Sequence, residues 1–152
     1  MKAKKSLGQN FLIDKNILEK ISKTAIIKNK AVLEIGPGTG NLTQYILNNK
    51  PKKLIVIEKD NDLSLLLENK FRNKITIIND DVLKVDESNI SNEKLIVFGN
   101  LPYNISTEII SKWITKLKYK FWFECLVLMF QKEVADRIIA KSNTSNYGRL
   151  SV

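Results

Sequence analysis

The chain has 152 residues, and its 25 lysine and arginine residues outnumber 16 aspartate and glutamate residues, which gives a formal net charge of +9. This length suits a single domain with one hydrophobic core. The charge predicts a polyanionic partner, and a nucleic acid fits better than a membrane because no apolar run is long enough to span one. The absence of histidine and the single cysteine exclude Ser-His-Asp and Cys-His catalysis, histidine-ligated metals and cysteine-cluster zinc. No metal site is predicted.

The cellular setting is predicted from the amino terminus and from the apolar segments. The opening stretch MKAKKSLGQNFLIDK is basic but has no apolar segment behind it, so a secretion signal is not expected. We expect a cytoplasmic protein that acts as a monomer. Cys125 lies in the apolar run FWFECLVLMF and is interpreted as a core residue. Trp113 and Trp122 are interpreted as core or interface residues for the same reason.

Apolar periodicity predicts five β-α steps preceded by one helix. The predicted helices cover residues 16–27, 41–48, 60–71, 107–117 and 132–140. The predicted strands cover residues 31–35, 54–58, 75–79, 95–99 and 123–130. Asp60 or Asn61 is the expected N-cap of the third helix. The final residues RLSV look like the opening of another strand, so we expect the domain to be incomplete, with its last strands absent.

The order of these elements predicts the fold class. Strands that are continuously apolar and alternate with helices are typical of a parallel sheet covered on both faces. We therefore predict an α/β fold, doubly wound, with a mostly parallel sheet. Ligands of such folds bind beyond the carboxyl ends of the strands, so the residues that follow each strand are the first candidates for a site.

A glycine-rich loop follows the first strand. In EIGPGTGNLT, residues 34–43, the glycines are Gly36, Gly38 and Gly40, and their missing side chains allow a ligand to approach the backbone at the start of a helix. The spacing G-x-G-x-G differs from the G-x-G-x-x-G of dinucleotide sites and lacks the Gly-Lys-Ser/Thr ending of a P-loop, so NAD and ATP are disfavoured. A tight turn without a ligand is the alternative.

Carboxylates end the next two strands. Glu58 stands 22 positions after Gly36, where an acidic side chain can accept hydrogen bonds from both ribose hydroxyls of an adenosyl ligand. Asp80 and Asp81 follow the third strand and offer an acceptor for an adenine amino group. Each carboxylate alone is also consistent with a solvated side chain or a helix cap. Together with the glycine loop they favour an adenosyl ligand.

The fourth strand ends in FGNLPYN, residues 98–104. The side-chain oxygen of Asn100 and the carbonyl of Leu101 can accept both hydrogens of a planar exocyclic amine, such as N6 of adenine. Pro102 stiffens the turn through its fixed φ, and Tyr103 can stack on the base, a contact worth roughly 1–3 kcal/mol. Methyl transfer to such an amine from S-adenosylmethionine (SAM) needs no histidine. A proline turn that only closes a strand is the alternative.

Seven motifs together resemble one family, the small-subunit ribosomal RNA adenine dimethyltransferases of the KsgA type. They are GQNFL at 8–12, EIGPGTGNLT at 34–43, IEKD at 57–60, NDDVL at 79–83, GNLPYNIST at 99–107, QKEVADRI at 131–138 and YGRLSV at 147–152. The resemblance implies a Rossmann-like SAM-dependent methyltransferase that acts in ribosome biogenesis. Its expected activity is dimethylation of N6 of two adjacent adenines in a small-subunit RNA hairpin, so ribosomal RNA within the small subunit is the expected partner.

The resemblance also implies roles for individual residues. Asn10 and Leu12 would line the SAM pocket, Gly36 would lie under the methionine part, and Glu58 would bind the ribose hydroxyls. Gly38 would also be a cofactor-binding residue. Asp81 would lie near the adenine, and Asn100 would touch both SAM and the target base. The base pocket would be completed by the catalytic turn residues Leu101, Pro102 and Tyr103.

Three alternatives stay open. Erm-type methyltransferases, which act on large-subunit RNA, share the QNF and proline-tyrosine motifs. A DNA adenine methyltransferase suits the Asn-x-Pro-Tyr motif equally well, and an RNA-binding module without chemistry would use only the +9 charge. The family continues past YGRLSV with further strands, an aromatic residue over the target base and a helical C-terminal domain, so this chain is expected to methylate weakly or not at all.

Overall fold

The computed structural model describes residues 13–101, 104–115 and 121–151. Within these ranges five strands form one sheet and five α-helices surround it. The strands are β1 (Ala31–Ile35), β2 (Lys53–Ile57), β3 (Thr76–Ile78), β4 (Leu95–Asn100) and β5 (Phe123–Met129). The helices are α1 (Lys15–Ser22), α2 (Asn41–Asn48), α3 (Asn61–Phe71), α4 (Ser106–Thr115) and α5 (Lys132–Ile138).

The sheet is parallel and doubly wound, as predicted. Its strand order is β3-β2-β1-β4-β5, and each neighbouring pair runs parallel. The chain builds outward from β1 to β3 and then crosses over to add β4 and β5 on the other side. The order reverses between β1 and β4, and in open α/β sheets this is where a ligand crevice forms.

Each face of the sheet carries its own apolar core because successive strand residues point to opposite sides. On one face Leu33 and Val97 pack with Ile109 and Trp113 of α4. On the other face a second set packs against α1 and α2; its buried members are Leu18, Ile27, Val32, Leu42, Ile46, Leu54, Val56, Ile96 and Phe98. The prediction of a parallel sheet that is covered on both faces is thus confirmed.

The interpretations of the tryptophans and the cysteine agree with this core. Trp113 is fully buried, and the partly buried Trp122 packs edge-on against it with ring centroids 5.5 Å apart. Cys125 is partly buried and packs against the second core. The predicted N-cap is Asp60, whose side chain accepts from the backbone N–H groups of Asp62 and Leu63.

Apart from shifts of one or two residues at the ends of elements, the structure differs from the predicted elements at three places. The first helix ends at Ser22, not at residue 27, because the chain turns after it so that Ile27, 2% exposed, enters the core while Ile26 is 84% exposed. β3 is followed by a loop with a short 3₁₀ helix, Glu87–Asn89, so only four strands lead into an α-helix. Residues 149–151, expected to open a strand, form a turn with Ser151 N–H donating to the Gly148 carbonyl.

No helix in the described ranges is long and apolar enough to cross a membrane.

Candidate active site

Strand register brings three predicted site residues to the same edge of the sheet. Ile35 of β1 lies opposite Ile57 of β2 and Gly99 of β4. The residues that follow these three are Gly36, Glu58 and Asn100. A Cβ added to Gly36 would lie 3.7 Å from the backbone carbonyl oxygen of Asn100. Three parts of the chain therefore border one crevice. They are the glycine loop, Glu58 after β2, and the turn that begins at Asn100, which we call the asparagine turn.

The glycine loop adopts backbone conformations that favour glycine. Gly36, Gly38 and Gly40 have φ angles of +62°, +59° and +77°. At Gly40 an added Cβ would lie 2.4 Å from Cε2 of Phe71, so this glycine allows α3 to pack against the loop. Gly36 meets no such obstacle. Gly40 thus serves packing, and Gly36 is the loop position that the described contacts leave open to a ligand.

Glu58 is buried and braces the glycine loop, with only 6% of its surface exposed. Its Oε2 accepts a hydrogen bond from the N–H of Gly38 at 3.1 Å, and its Oε1 accepts from the N–H of Asp60 at 2.9 Å. Burial raises the pKa of Glu58, and the backbone donors of Asp60 and Gly38 oppose that rise. Each carboxylate oxygen has a further lone pair, so the side chain can accept from a ligand while it holds the loop.

Asp81 is held in place by two donors. Its Oδ2 lies 2.7 Å from Nζ of Lys59, and its Oδ1 accepts from the N–H of Leu83 at 3.0 Å. The hydrogen bond from Lys59 lowers the pKa of Asp81, so this carboxyl is ionised at neutral pH. Asp80, the other predicted acceptor, is exposed, and its Oδ1 accepts from the N–H of Asp81 at 2.7 Å. Asp81 is therefore the better placed of the two.

The carboxyl ends of β2 and β3 are joined directly. Nδ2 of Asn79 donates to the backbone carbonyl of Glu58 at 2.8 Å. This bond fixes the segment that carries Asp81 relative to Glu58. The two predicted carboxylates thus belong to one connected edge of the sheet.

The asparagine turn is described only in part. Asn100 is half-buried at the end of β4, and the side chain of Leu101 is buried in the core. Leu101 therefore has its backbone, not its side chain, available for a ligand. Of the other predicted site residues, Pro102 and Tyr103 lie outside the described residues. So do Asn10 and Leu12.

Glu34 is a buried acidic residue to which sequence reasoning gave no role. It lies inside β1, and its Oε2 accepts a hydrogen bond from the hydroxyl of Thr43 at 2.7 Å. Burial, with a smaller contribution from the charge of Glu58, raises the pKa of Glu34 to about 8. The signal that could have revealed it is the charged residue in the otherwise apolar strand AVLEI. It lies directly beneath the glycine loop.

The described residues fit an adenosyl cofactor. Gly36 presents backbone without a side chain at the crevice, and Glu58 and Asp81 place acceptors beyond two adjacent strands. These are groups that can receive the hydroxyls of a ribose and the amine of an adenine. Asn100 borders the same crevice from β4, on the other side of β1 from Glu58.

Comparisons with known proteins agree with this geometry. The model of the family described as "Ribosomal RNA adenine dimethylase" matches residues 1–152. The chain is 70% identical over 152 residues to "Ribosomal RNA small subunit methyltransferase A" of Pelagibacter ubique, and spans 58% of that protein. It is 47% identical to the protein of the same name from a Wolbachia strain of Drosophila simulans, and spans 56% of it.

Solved structures give the same result. A dimethyladenosine transferase from Plasmodium falciparum matches with a TM-score of 0.80 and 36% identity, over 94% of this chain and 51% of that one. The 23S rRNA methyltransferase ErmE matches with a TM-score of 0.71 and 29% identity, over 92% and 53%. The Erm alternative is thus less supported, whereas the predicted methyltransferase fold and SAM cofactor agree with these matches. Because the family model covers the whole chain, the chain belongs to the ribosomal RNA adenine dimethylase family.

Proposed function

We propose that the chain is the SAM-binding, catalytic part of an enzyme that dimethylates N6 of two adjacent adenines in small-subunit ribosomal RNA. The observation that carries the proposal is the meeting of Gly36, Glu58 and Asn100 at one edge of the sheet. This edge presents groups suited to an adenosyl cofactor beside groups suited to an amine acceptor. An RNA-binding module without chemistry would need neither.

The described contacts support the cofactor-binding roles proposed for the individual residues. Gly36 and Gly38 receive the methionine end against bare backbone, and Glu58 accepts from the ribose hydroxyls through the lone pairs that its backbone donors leave. Asp81, ionised and fixed by two donors, accepts from the adenine amine. Asn10 and Leu12 are proposed to complete this pocket. When bound, SAM supplies an electrophilic methyl group.

The chain's own residues then orient the acceptor. The side-chain oxygen of Asn100 and the carbonyl of Leu101 accept the two hydrogens of the amine, which favours a pyramidal nitrogen whose lone pair is localised and faces the methyl donor. Pro102 and Tyr103 are proposed to hold the base from one side. Once methylated, the nitrogen is acidic enough to lose its proton to water, so no general base is required. Alignment of two reactants contributes roughly 7–11 kcal/mol in well-oriented systems.

The substrate is proposed from similarity and charge. The relatives that match this chain at 70% and 47% identity are named for the small ribosomal subunit, whereas the 23S rRNA enzyme ErmE matches at 29%. A net charge of +9 suits a ribosomal RNA backbone. We further propose that the protein acts in the cytoplasm as a monomer, on RNA within the small subunit.

Methyl transfer from labelled SAM tests the proposal. Substrates are small subunits that lack the two dimethyladenosines, large subunits and duplex DNA, with the Pelagibacter ubique protein as positive control because the chain spans 58% of it. We expect labelling of small subunits alone, weaker with this chain than with the positive control, and we expect Asn100→Ala to lower the rate by about 100-fold or more. Labelling of large subunits or DNA in preference would overturn the substrate, and full activity of Asn100→Ala would overturn the mechanism.

A further inference from the structure

A buried ion pair joins α4 to the loop that follows β3. Nζ of Lys112, on α4, lies 2.8 Å from Oε1 and 2.9 Å from Oε2 of Glu87, with the two side chains 10% and 2% exposed. The same ammonium donates to the backbone carbonyls of Val82, at 2.6 Å, and Val85. Nε1 of Trp113 donates to Oε1 of Glu87 at 2.7 Å. We call Lys112, Glu87 and Trp113 the α4 clasp.

The loop side of the α4 clasp is the turn that carries Asp81. The carbonyl of Asp81 accepts from the N–H groups of Lys84 at 2.8 Å and Val85 at 3.2 Å, and its side chain accepts from Leu83. Lys112 binds carbonyls in this same turn. The turn that carries Asp81 is therefore joined to α4 through hydrogen bonds from Lys112.

Helix α4, which carries Lys112 and Trp113 of the α4 clasp, begins shortly after the asparagine turn. α4 begins at Ser106, six positions after Asn100, and is anchored in the core through Ile109 and Trp113. Any shift of α4 along its axis would move both the end of the asparagine turn and the contact with the Asp81 turn. One rigid helix thus links the cofactor side of the crevice to the acceptor side.

Stability alone does not account for such a cluster. Replacing a buried ion pair by neutral or apolar groups of similar volume is often neutral or stabilising, so a buried pair is weak evidence for a stability device. The directional hydrogen bonds of the α4 clasp instead hold α4 and the turn at Asp81 in one relative position. Active-site groups must be held to about 0.5 Å by supporting contacts of this kind.

We propose that Lys112 and Glu87 are positioning residues that set Asp81 relative to Asn100, and so set cofactor affinity and the alignment of cofactor with acceptor. The inference rests on the proposed function because it needs Asp81 at the adenine. Neither residue touches the reactants; both act through the turn at Asp81 and through α4.

A double-mutant cycle on SAM affinity tests the proposal, with Lys112→Met, Asp81→Asn and the combined variant. We expect each single change to weaken SAM binding by about fivefold or more, and the combined variant to be no weaker than the weaker single variant, because Lys112 acts through Asp81. The inference would be overturned if the losses of SAM affinity in the two single variants multiplied in the combined variant, or if Lys112→Met left SAM affinity unchanged. Lys52→Met, which removes a surface pair with Glu93, is the matched control and should leave affinity unchanged.

The failures of the two proposals are distinguishable. If Asp81→Asn leaves SAM affinity unchanged, the proposed adenine contact is wrong, and the inference falls with it. If Asp81→Asn weakens binding and Lys112→Met does not, only the inference falls.

A second variant protects the test against misfolding. Lys112→Met combined with Glu87→Gln removes both charges and keeps an acceptor for the indole N–H of Trp113. We expect this variant to fold with a melting temperature close to that of the wild type but to bind SAM about fivefold or more weakly. Glu87→Gln alone keeps acceptors for both donors and should bind nearly as the wild type does. A folded double variant with wild-type affinity would overturn the inference.

Discussion

Glu34 makes the stability of this protein depend on pH, and Glu34→Gln should remove that dependence. The carboxyl is buried inside β1, where it accepts a hydrogen bond from Thr43 and faces the charge of Glu58. A glutamine of the same size can still accept from the Thr43 hydroxyl but cannot ionise. The substitution therefore separates the effect of the charge from that of the packing.

The size and direction of the effect follow from the raised pKa. The carboxyl titrates at 4.5 in the unfolded chain and at about 8 in the folded chain. Its contribution to stability is therefore complete below pH 4.5 and is lost as the pH rises through 8, because ionisation is easier after unfolding. The loss is about 4–5 kcal/mol, at 1.36 kcal/mol for each unit of pKa. Glu34→Gln should lie within about 1 kcal/mol of the wild type at pH 5 and exceed its stability by up to about 4–5 kcal/mol near pH 9.

Urea unfolding between pH 5 and pH 9, followed by the fluorescence of Trp113 and Trp122, measures this difference. Other titrating groups, such as Asp81 with its lowered pKa, contribute to both curves, so the gap between the two proteins isolates Glu34. Glu93→Gln, an exposed glutamate paired with Lys52, is the control and should follow the wild type. Parallel curves for the wild type and Glu34→Gln over the whole range would refute the reasoning.

Substitutions at three further positions test the local geometry of the site. Gly40→Ala should destabilise the fold by about 2–4 kcal/mol in urea unfolding, because the added Cβ would lie 2.4 Å from Phe71 and the residue has a φ of +77°. An unchanged urea midpoint would contradict the close approach of α3 to the glycine loop. Asp60→Ala removes the α3 N-cap and should lower stability by about 1 kcal/mol, whereas Asp60→Asn should retain most of it. Lys59→Met raises the pKa of Asp81 toward its usual value, so SAM affinity at pH 7.5 should change by less than about threefold because Asp81 stays ionised and Leu83 still holds it. A tenfold loss would show that Lys59 positions Asp81 or contacts the ligand itself.

Sequence patterns predicted the sheet well because its strands are buried on both faces. β1 and α2 have the predicted bounds of 31–35 and 41–48, since apolar content, glycine punctuation and length all agree there. The end of α1 was predicted too late because Ile26 and Ile27 continue the apolar spacing, although only Ile27 reaches the core. Apolar spacing along the sequence alone does not distinguish a residue that packs into the core from a helix from a residue that packs into the core from the following turn.

The site was predicted in outline for a related reason. Residues that directly follow parallel strands must meet at one edge, so Gly36, Glu58 and Asn100 were placed together without knowledge of side-chain contacts. Which groups those side chains bind depends on which distant parts of the chain pack against them in the folded protein. The bracing of Gly38 by Glu58, and the packing role of Gly40 against Phe71, rest on contacts between residues 20 and more than 30 positions apart. No local pattern carries that information.

Calorimetric titration of SAM and of its demethylated product into the wild-type chain and into Glu58→Gln tests the central claim most directly. Replacing one carboxylate oxygen by an amide removes an acceptor at the glycine loop while it preserves side-chain size, and Glu93→Gln is the exposed control. We predict micromolar-range binding by the wild type and by the control, and a loss of at least about tenfold in Glu58→Gln. Equal affinity of Glu58→Gln and the wild type, or no binding by a folded wild-type chain, would contradict the proposed site.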